Sequence, residues 1–131
     1  MFLVFMAIPV VLDTNFVLLP FQRKLDIEGE VERLVEAPHF FVVLQQAVDE
    51  LTEMARQKRS FSPAARAALI FIQRKVTVEK GTLGKPDAAM LEYCKANGGI
   101  LATFDAALRR KARGLDVRVV FLRDKGHLAL S

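Results

Sequence analysis

Four acidic side chains lie just after predicted strands or on predicted helices, at places where they could share one cleft. Asp13 ends the apolar run at residues 10–12, and Asp105 comes two residues after the run at 100–103. Buried strands of parallel sheets read as continuous apolar runs, and ligand chemistry gathers beyond the carboxyl ends of such strands. We therefore expect Asp13 and Asp105 to lie near the same edge of a parallel sheet.

The other two acids belong to predicted helices. Glu50 lies at the border of an apolar stripe on the helix after the second strand, so its carboxylate could reach into a cleft. Asp87 follows Pro86 at a helix start. Each acid also has a simpler interpretation. Asp13 could serve simply as a helix cap, and Asp87 and Asp105 could simply complement a helix dipole. Glu50 could be a solvent-exposed residue at the side of its helix.

Carboxylates that share a cleft repel each other, which raises their pKa values and lowers stability unless a positive charge neutralises them. Neither histidine is placed to act as a ligand, because His39 precedes a predicted strand and His127 lies in the tail. A ligand set made of oxygen atoms suits hard cations such as Mg²⁺ or Mn²⁺. Two such ions about 3.5–4 Å apart can activate a water and stabilise the leaving oxygen of a phosphodiester.

Three polar side chains next to these acids could support such a site. The hydroxyls of Thr14 and Thr103 and the amide of Asn15 could orient water or carboxylates. The single cysteine, Cys94, lies among apolar residues of a predicted helix, so we assign it to the core. The sequence has no P-loop and no dinucleotide-binding glycine pattern, and it lacks the nucleophile elbow of serine hydrolases.

The composition indicates one folded domain over residues 1–131. A hydrophobic fraction of 52% is ample for a core, and the net charge of +4 mildly suggests a polyanionic partner. One cysteine excludes an intrachain disulfide and fits a reducing, cytoplasmic setting. The apolar start, residues 1–12, is shorter than the ~20 residues that span a bilayer. We interpret it as an entering segment with the first strand, and we expect no membrane partner.

Strands alternate with helices along the chain, which predicts a parallel sheet with helices on both faces. Ser62 is expected to cap a helix that has Pro63 at its first position. The tail at 123–131 receives no assignment. The strands after the first are predicted at 40–44, 76–78 (an edge), 100–103 and 117–122. The helices are predicted as a turn at 16–19, a segment from 26 to Pro38, a segment from 44 that ends in the cationic run 56–59, and segments at 64–73, 87–96 and 106–113.

The ordered acids and their flanking residues resemble the PIN-domain nucleases. The matching stretches are VVLDTN with Asp13, VDEL with Glu50, PDAAMLEYC with Asp87 and LATFD with Asp105, and the resemblance runs from about Val10 to Leu128. The general appearance is closest to archaeal PIN proteins related to ribosome-biogenesis endonucleases.

This resemblance implies a three-layer α/β/α fold and Mg²⁺- or Mn²⁺-dependent cleavage of single-stranded RNA, often by a homodimer. Its motifs assign the metal to Asp13, Glu50, Asp87 and Asp105, and they place a hydroxyl at Thr103. Phe104 departs from the family pattern, which often has a small polar or charged residue there.

Basic residues on two predicted helices would fit an RNA partner, although such runs are more often simply solvated. We expect RNA contacts from Arg109, Arg110, Lys111, Arg113, Arg56 and Lys58. Phe21 and Phe61 could stack on bases, with core packing as the alternative.

Three functions are consistent with this pattern. The first is a metal-dependent endoribonuclease, with rRNA processing as one setting. The second is a non-catalytic RNA-binding component of an RNA–protein assembly. The third is a toxin-type ribonuclease whose partner is an antitoxin protein.

Overall fold

The structure is a computed structural model that describes residues 7–82 and 84–131. Within these residues six strands alternate with six helices and one short 3₁₀ turn, Leu19–Phe21. The strands are β1 (Ile8–Leu12), β2 (His39–Leu44), β3 (Val76–Glu79), β4 (Ile100–Ala102), β5 (Val119–Asp124) and β6 (His127–Leu130). The helices are α1 (Thr14–Leu18), α2 (Ile27–Leu34), α3 (Gln45–Arg56), α4 (Ser62–Lys75), α5 (Pro86–Asn97) and α6 (Ala106–Gly114).

All six strands form one sheet in the order β3-β2-β1-β4-β5-β6. The first five strands in this order run parallel, because a helical segment returns the chain between each of them. β1 is central, between β2 and β4, and its last residue Leu12 pairs with Ala102 of β4. The Asp13 N–H extends this ladder by one bond to the Ala102 carbonyl, at 3.0 Å. The predicted α/β class is therefore confirmed, and Asp13 leaves the middle of the sheet at its carboxyl edge.

Hydrophobic packing covers both faces of the sheet, which gives the three α/β/α layers. Alternate residues of β1 point to opposite faces, so Val10 and Leu12 join one core and Val11 joins the other. α1 to α4 close the first core around Phe16, whereas α5 and α6 close the second. Cys94 belongs to the second core at 1% exposure, and burial raises the pKa of its thiol to about 12.

Three details differ from the sequence predictions or lie beyond them. Ser62 does not cap its helix from outside; it is the first helical residue, and its buried hydroxyl donates to the Met54 and Gln57 carbonyls. This hydroxyl ties α4 to the end of α3, a contact that a local capping rule cannot foresee. The unassigned tail contains β6, which pairs antiparallel with β5. The predicted entry segment at 1–6 lies outside the described residues.

In the part of the chain that the structure describes, none of the helices combines the length and the apolar character that crossing a bilayer requires.

Candidate functional site

Asp13 has two roles at the end of β1. Its backbone is extended at the N-cap of α1, and its Oδ1 accepts the Thr14 N–H at 2.8 Å. Its Oδ2 accepts the Thr103 hydroxyl, also at 2.8 Å, from a residue 90 positions away. Thr103 is 1% exposed, so its end of the contact is buried, whereas Asp13 is half-buried. The capping interpretation of Asp13 is therefore correct, but it accounts for only one of the two carboxylate oxygens.

Asp105 is joined to Asp13 indirectly, because both residues bond to the Thr103 hydroxyl. The Asp105 N–H donates to the Thr103 hydroxyl oxygen at 3.1 Å, while Asp105 Oδ1 caps α6 by accepting the N–H groups of Ala107 and Leu108. The residue between them, Phe104, stacks on Phe16 with 4.6 Å between ring centroids. The aromatic side chain that departs from the family pattern thus anchors the loop between Thr103 and Asp105.

Charge at this edge of the sheet is unfavourable for Asp13. Burial is the main factor that raises the pKa of Asp13, and the Asp87 and Asp105 carboxylates raise it further. The hydrogen bonds from Thr103 and Thr14 act in the opposite direction. Asp87 and Asp105 are therefore near enough to repel the charge on Asp13, although Asp105 is 92 positions from it in the sequence.

Glu50 reaches the same region from α3. Its exposed side chain lines a narrow cleft together with Asp13, Thr14 and Pro86. The cleft has about 20 Å³ of space, enough for one water molecule. Glu50 therefore faces Asp13 from the helix that follows the neighbouring strand. Asn15, by contrast, is exposed on α1 and is not among the residues that line this cleft.

The donors at this edge have the chemistry that a hard divalent cation prefers. They are carboxylate oxygens, and the repulsion that raises the pKa of Asp13 would be relieved by a positive charge. Among residues 7–82 and 84–131, however, no three His, Cys, Asp or Glu side chains form a ready-made metal site. The acids share an edge without converging on one point, so ion binding would require the other acid side chains to turn toward Asp13.

Gln46 is a cleft residue that the sequence analysis did not select. It belongs to the first turn of α3, and its Nε2 donates to the Gly84 carbonyl at 2.8 Å. Its Oε1 is buried and has no hydrogen-bond partner in the described residues. No local pattern marks Gln46, because its importance comes from a loop 38 residues further along the chain.

The basic residues of α6 do not all face the same surroundings. Arg109 lies over the Phe121 ring, with 4.1 Å between Cζ and the centroid, which gives this guanidinium a structural role. Lys111 lines a second cleft of about 460 Å³ together with Lys85 and Asp87. Arg110 and Arg113 are exposed. Lys85 was not predicted, although it immediately precedes the α5 motif that contains Asp87.

The second predicted basic group lies at and beyond the end of α3. Arg56 is exposed and pairs with Glu53 at 3.7 Å, and Lys58 is exposed in the following loop. Arg56 is six residues beyond Glu50, which corresponds to about 9 Å along the helix axis. Phe61 is half-buried, while Phe21 is 38% exposed and packs near Phe71.

A model of the PIN-like domain family matches residues 10–125, which is most of the chain. The protein belongs to the PIN-like domain family. The family resemblance in the sequence motifs is thereby confirmed. The matched range includes all four acids, so these residues lie inside the PIN-like domain and not in an appended segment.

Known proteins extend this finding. A curated relative, ribonuclease VapC4 of Methanocaldococcus jannaschii, is 28% identical over 125 residues, covering 92% of this chain and 95% of the relative. The solved structure of the PIN domain endonuclease Utp24 superposes with a TM-score of 0.76 at 16% identity, over 94% of this chain and 90% of that chain. A domain of a functionally unknown M. jannaschii protein gives a TM-score of 0.63 at 20% identity, over 92% and 95%. At these identities the two structures show a shared PIN-like fold.

Proposed function

We propose that this protein is a divalent-metal-dependent endoribonuclease that cleaves single-stranded RNA. The observation that carries the proposal is the crowding of Asp13, Asp87 and Asp105 at the carboxyl edge of a PIN-like sheet. Burial and the two neighbouring carboxylates disfavour the charged form of Asp13, and a bound cation would offset this cost. The relative that is matched over 95% of its length is named ribonuclease VapC4, and this name supports RNA as the substrate.

The residues that would hold Mg²⁺ or Mn²⁺ are Asp13, Glu50, Asp87 and Asp105. When bound, the ion would supply a Lewis acid that activates water for attack on the phosphodiester and stabilises the leaving oxygen. Thr103 and Thr14 hold the Asp13 carboxylate in one orientation through bonds to its two oxygens. Oxygen-specific hydrogen bonds of this kind keep a ligand pre-aligned and so reduce the entropy lost on binding.

Lysines beside the acids are suited to hold the RNA backbone. Lys111 and Lys85 flank Asp87 in the second cleft, and Arg110 and Arg113 add exposed positive charge on α6. Phosphate contacts from these side chains would give binding that weakens as salt is raised. Arg109 contributes mainly through Phe121 and is the least suitable of the α6 cations for this role.

The test is cleavage of an unstructured RNA by the purified protein with Mn²⁺. We expect Asp13→Asn to lower the cleavage rate by roughly 10³-fold, since an aligned charged ligand is lost. Glu50→Gln should also lower it, whereas the adjacent exposed Asp49→Asn should not. Wild-type protein that binds RNA in a salt-dependent manner but cleaves no RNA under varied conditions would favour the non-catalytic RNA-binding function instead.

A second candidate is a toxin-type ribonuclease with an antitoxin partner, which the VapC4 relative favours. A small antitoxin gene immediately upstream, whose product blocks cleavage by this protein, would support it. A role in rRNA processing stays a prediction, because the Utp24 likeness is one of fold. The homodimer also stays a prediction, which analytical ultracentrifugation would test.

A further inference from the structure

Gln46 links α3, which contains Glu50, to the loop that precedes α5, which contains Asp87. Gln46 and Glu50 are one helical turn apart on α3, and Gly84 precedes the start of α5. A carbonyl oxygen can only accept a hydrogen bond, so the Gln46 atom that faces the Gly84 carbonyl must be the amide nitrogen. This contact leaves the other end of the amide, Oε1, as a buried acceptor on the opposite side of the group.

Among the described residues, no side chain or backbone group donates a hydrogen bond to the Gln46 Oε1. Buried polar atoms in folded proteins nearly always have a protein or water partner. The carboxylates of Asp13 and Glu50 are acceptors, the Thr14 hydroxyl in the same cleft makes no hydrogen bond to Oε1, and other cleft residues such as Leu44 and Met90 are apolar. A water in the cleft that Gln46 lines would supply this donor, because the cleft has space for about one water molecule.

We propose that Gln46 is a positioning residue of the acid cleft. Its Oε1 accepts a hydrogen bond from a water held beside Asp13 and Glu50, and its Nε2 fixes the loop that leads into α5. The inference rests on the proposed function, because an oriented water in this cleft matters only if the acids bind an ion. It goes beyond that function because it assigns a fifth residue to the site, a neutral side chain that has both a donor and an acceptor.

The two ends of the amide make separable predictions. Gln46→Leu removes both the donor and the acceptor. Gln46→Glu keeps oxygen acceptors for the cleft but places a carboxylate oxygen against the Gly84 carbonyl, where no donor remains. The matched control is Gln45→Leu, because Gln45 is the neighbouring exposed glutamine and bonds only to Asp49 on its own helix.

The first measurement is calorimetric titration of the full chain with Mn²⁺. We expect Gln46→Leu to weaken the affinity about 10-fold, as is typical when an outer-shell partner of a metal site is lost. Gln45→Leu should bind like wild type, and Gln46→Glu should stay within about 3-fold of wild type. Near-UV circular dichroism establishes that each variant is folded, and Gln46→Glu keeps the test valid if the leucine variant is not.

The second measurement is amide hydrogen exchange at residues 84–88 without metal. Loss of the Nε2 bond should speed exchange there in both Gln46→Leu and Gln46→Glu, but not in Gln45→Leu. A wild-type protein that binds no Mn²⁺ would overturn both the proposed function and this inference. If wild type binds Mn²⁺, Asp13→Asn does not, and both Gln46 variants behave like wild type in affinity and exchange, the inference alone is overturned.

Discussion

The β5–β6 hairpin and the carboxyl edge of the sheet both present carboxylates, in opposite electrostatic settings. At the hairpin, Glu30 of α2 pairs with Arg33 at 3.2 Å and accepts the Leu128 N–H at 2.8 Å. Asp124 lies 2.8 Å from the His127 ring nitrogen. The Arg33 hydrogen bond lowers the pKa of Glu30, and the His127 hydrogen bond lowers the pKa of Asp124. These contacts join the end of the chain to α2.

At the sheet edge the pKa of Asp13 is instead raised, first by burial and then by the Asp87 and Asp105 carboxylates. In the described parts of the chain, 7–82 and 84–131, no salt bridge involves these acids or Glu50. Positively charged partners therefore favour the ionised acids at the hairpin, whereas burial and like charges disfavour ionised Asp13 at the sheet edge. Such sites are the ones that natural proteins keep for binding or catalysis.

The largest expected effect that separates the two regions is on RNA cleavage. Asp105→Asn keeps an oxygen that can cap α6 but removes a negative charge from the edge. We expect its cleavage rate with Mn²⁺ to fall about 100-fold. Asp124→Asn makes the same change in the hairpin and should leave the rate within about 2-fold. Equal rates for both variants would remove the functional difference between the regions.

A smaller effect is expected on the stability of the hairpin. Glu30→Gln should lower the free energy of unfolding by about 1–2 kcal/mol at pH 7, because the charged acceptor of Arg33 and Leu128 is lost. The lowered pKa of Glu30 gives stability that is present above its ordinary pKa of 4.5 and lost as pH falls through the folded value. Urea unfolding from pH 7 to pH 3 should show the two proteins converging in acid.

In metal-free buffer, Asp13→Asn should raise the stability of the protein, whereas Glu30→Gln lowers it. A raised pKa means that the protonated side chain favours the folded state below the ordinary value of 3.8, and this advantage is lost as pH rises through the folded value. The neutral variant should therefore melt roughly 3–5 °C higher than wild type at pH 7. The gap should close in acid. If Asp13→Asn melted below wild type at pH 7, the charge on Asp13 would not destabilise the folded protein.

The smallest effect concerns two neighbouring arginines of α6. Arg110→Ala should weaken RNA binding about 3-fold and reduce the salt slope by about one, as expected for a lost phosphate contact. Arg109→Ala should change RNA binding less but lower stability by about 0.5–1 kcal/mol, because its guanidinium lies over Phe121. Fluorescence anisotropy at several salt concentrations and thermal melts would separate the two. If Arg109→Ala instead weakened RNA binding more than Arg110→Ala and left stability unchanged, Arg109 would have to leave Phe121 to contact RNA.

The strands and helices that place the acids could be predicted because they depend on local spacing. Continuous apolar runs marked the buried strands, and the cap at Asp13 follows from a side chain that bonds to the next helix turn. Asp105 also caps its helix, where only a helix-dipole role had been considered. The tail was not predicted, because β6 exists only through its pairing with β5 and the Arg33 and Glu30 bonds to Leu128. The role of Phe104 also depends on a distant contact, because its ring stacks on Phe16.

By itself, the sequence determined the α/β alternation, the residues that end the strands and the types of oxygen available at one edge. These features follow from periodicity and from the rule that parallel strands end at a common edge. Only the tertiary structure decided which charges are paired, that Arg109 lies over Phe121, and that Gln46, whose Oε1 has no partner among the described residues, lines the acid cleft. Those outcomes depend on contacts between residues 12 to 98 positions apart, which no local pattern encodes.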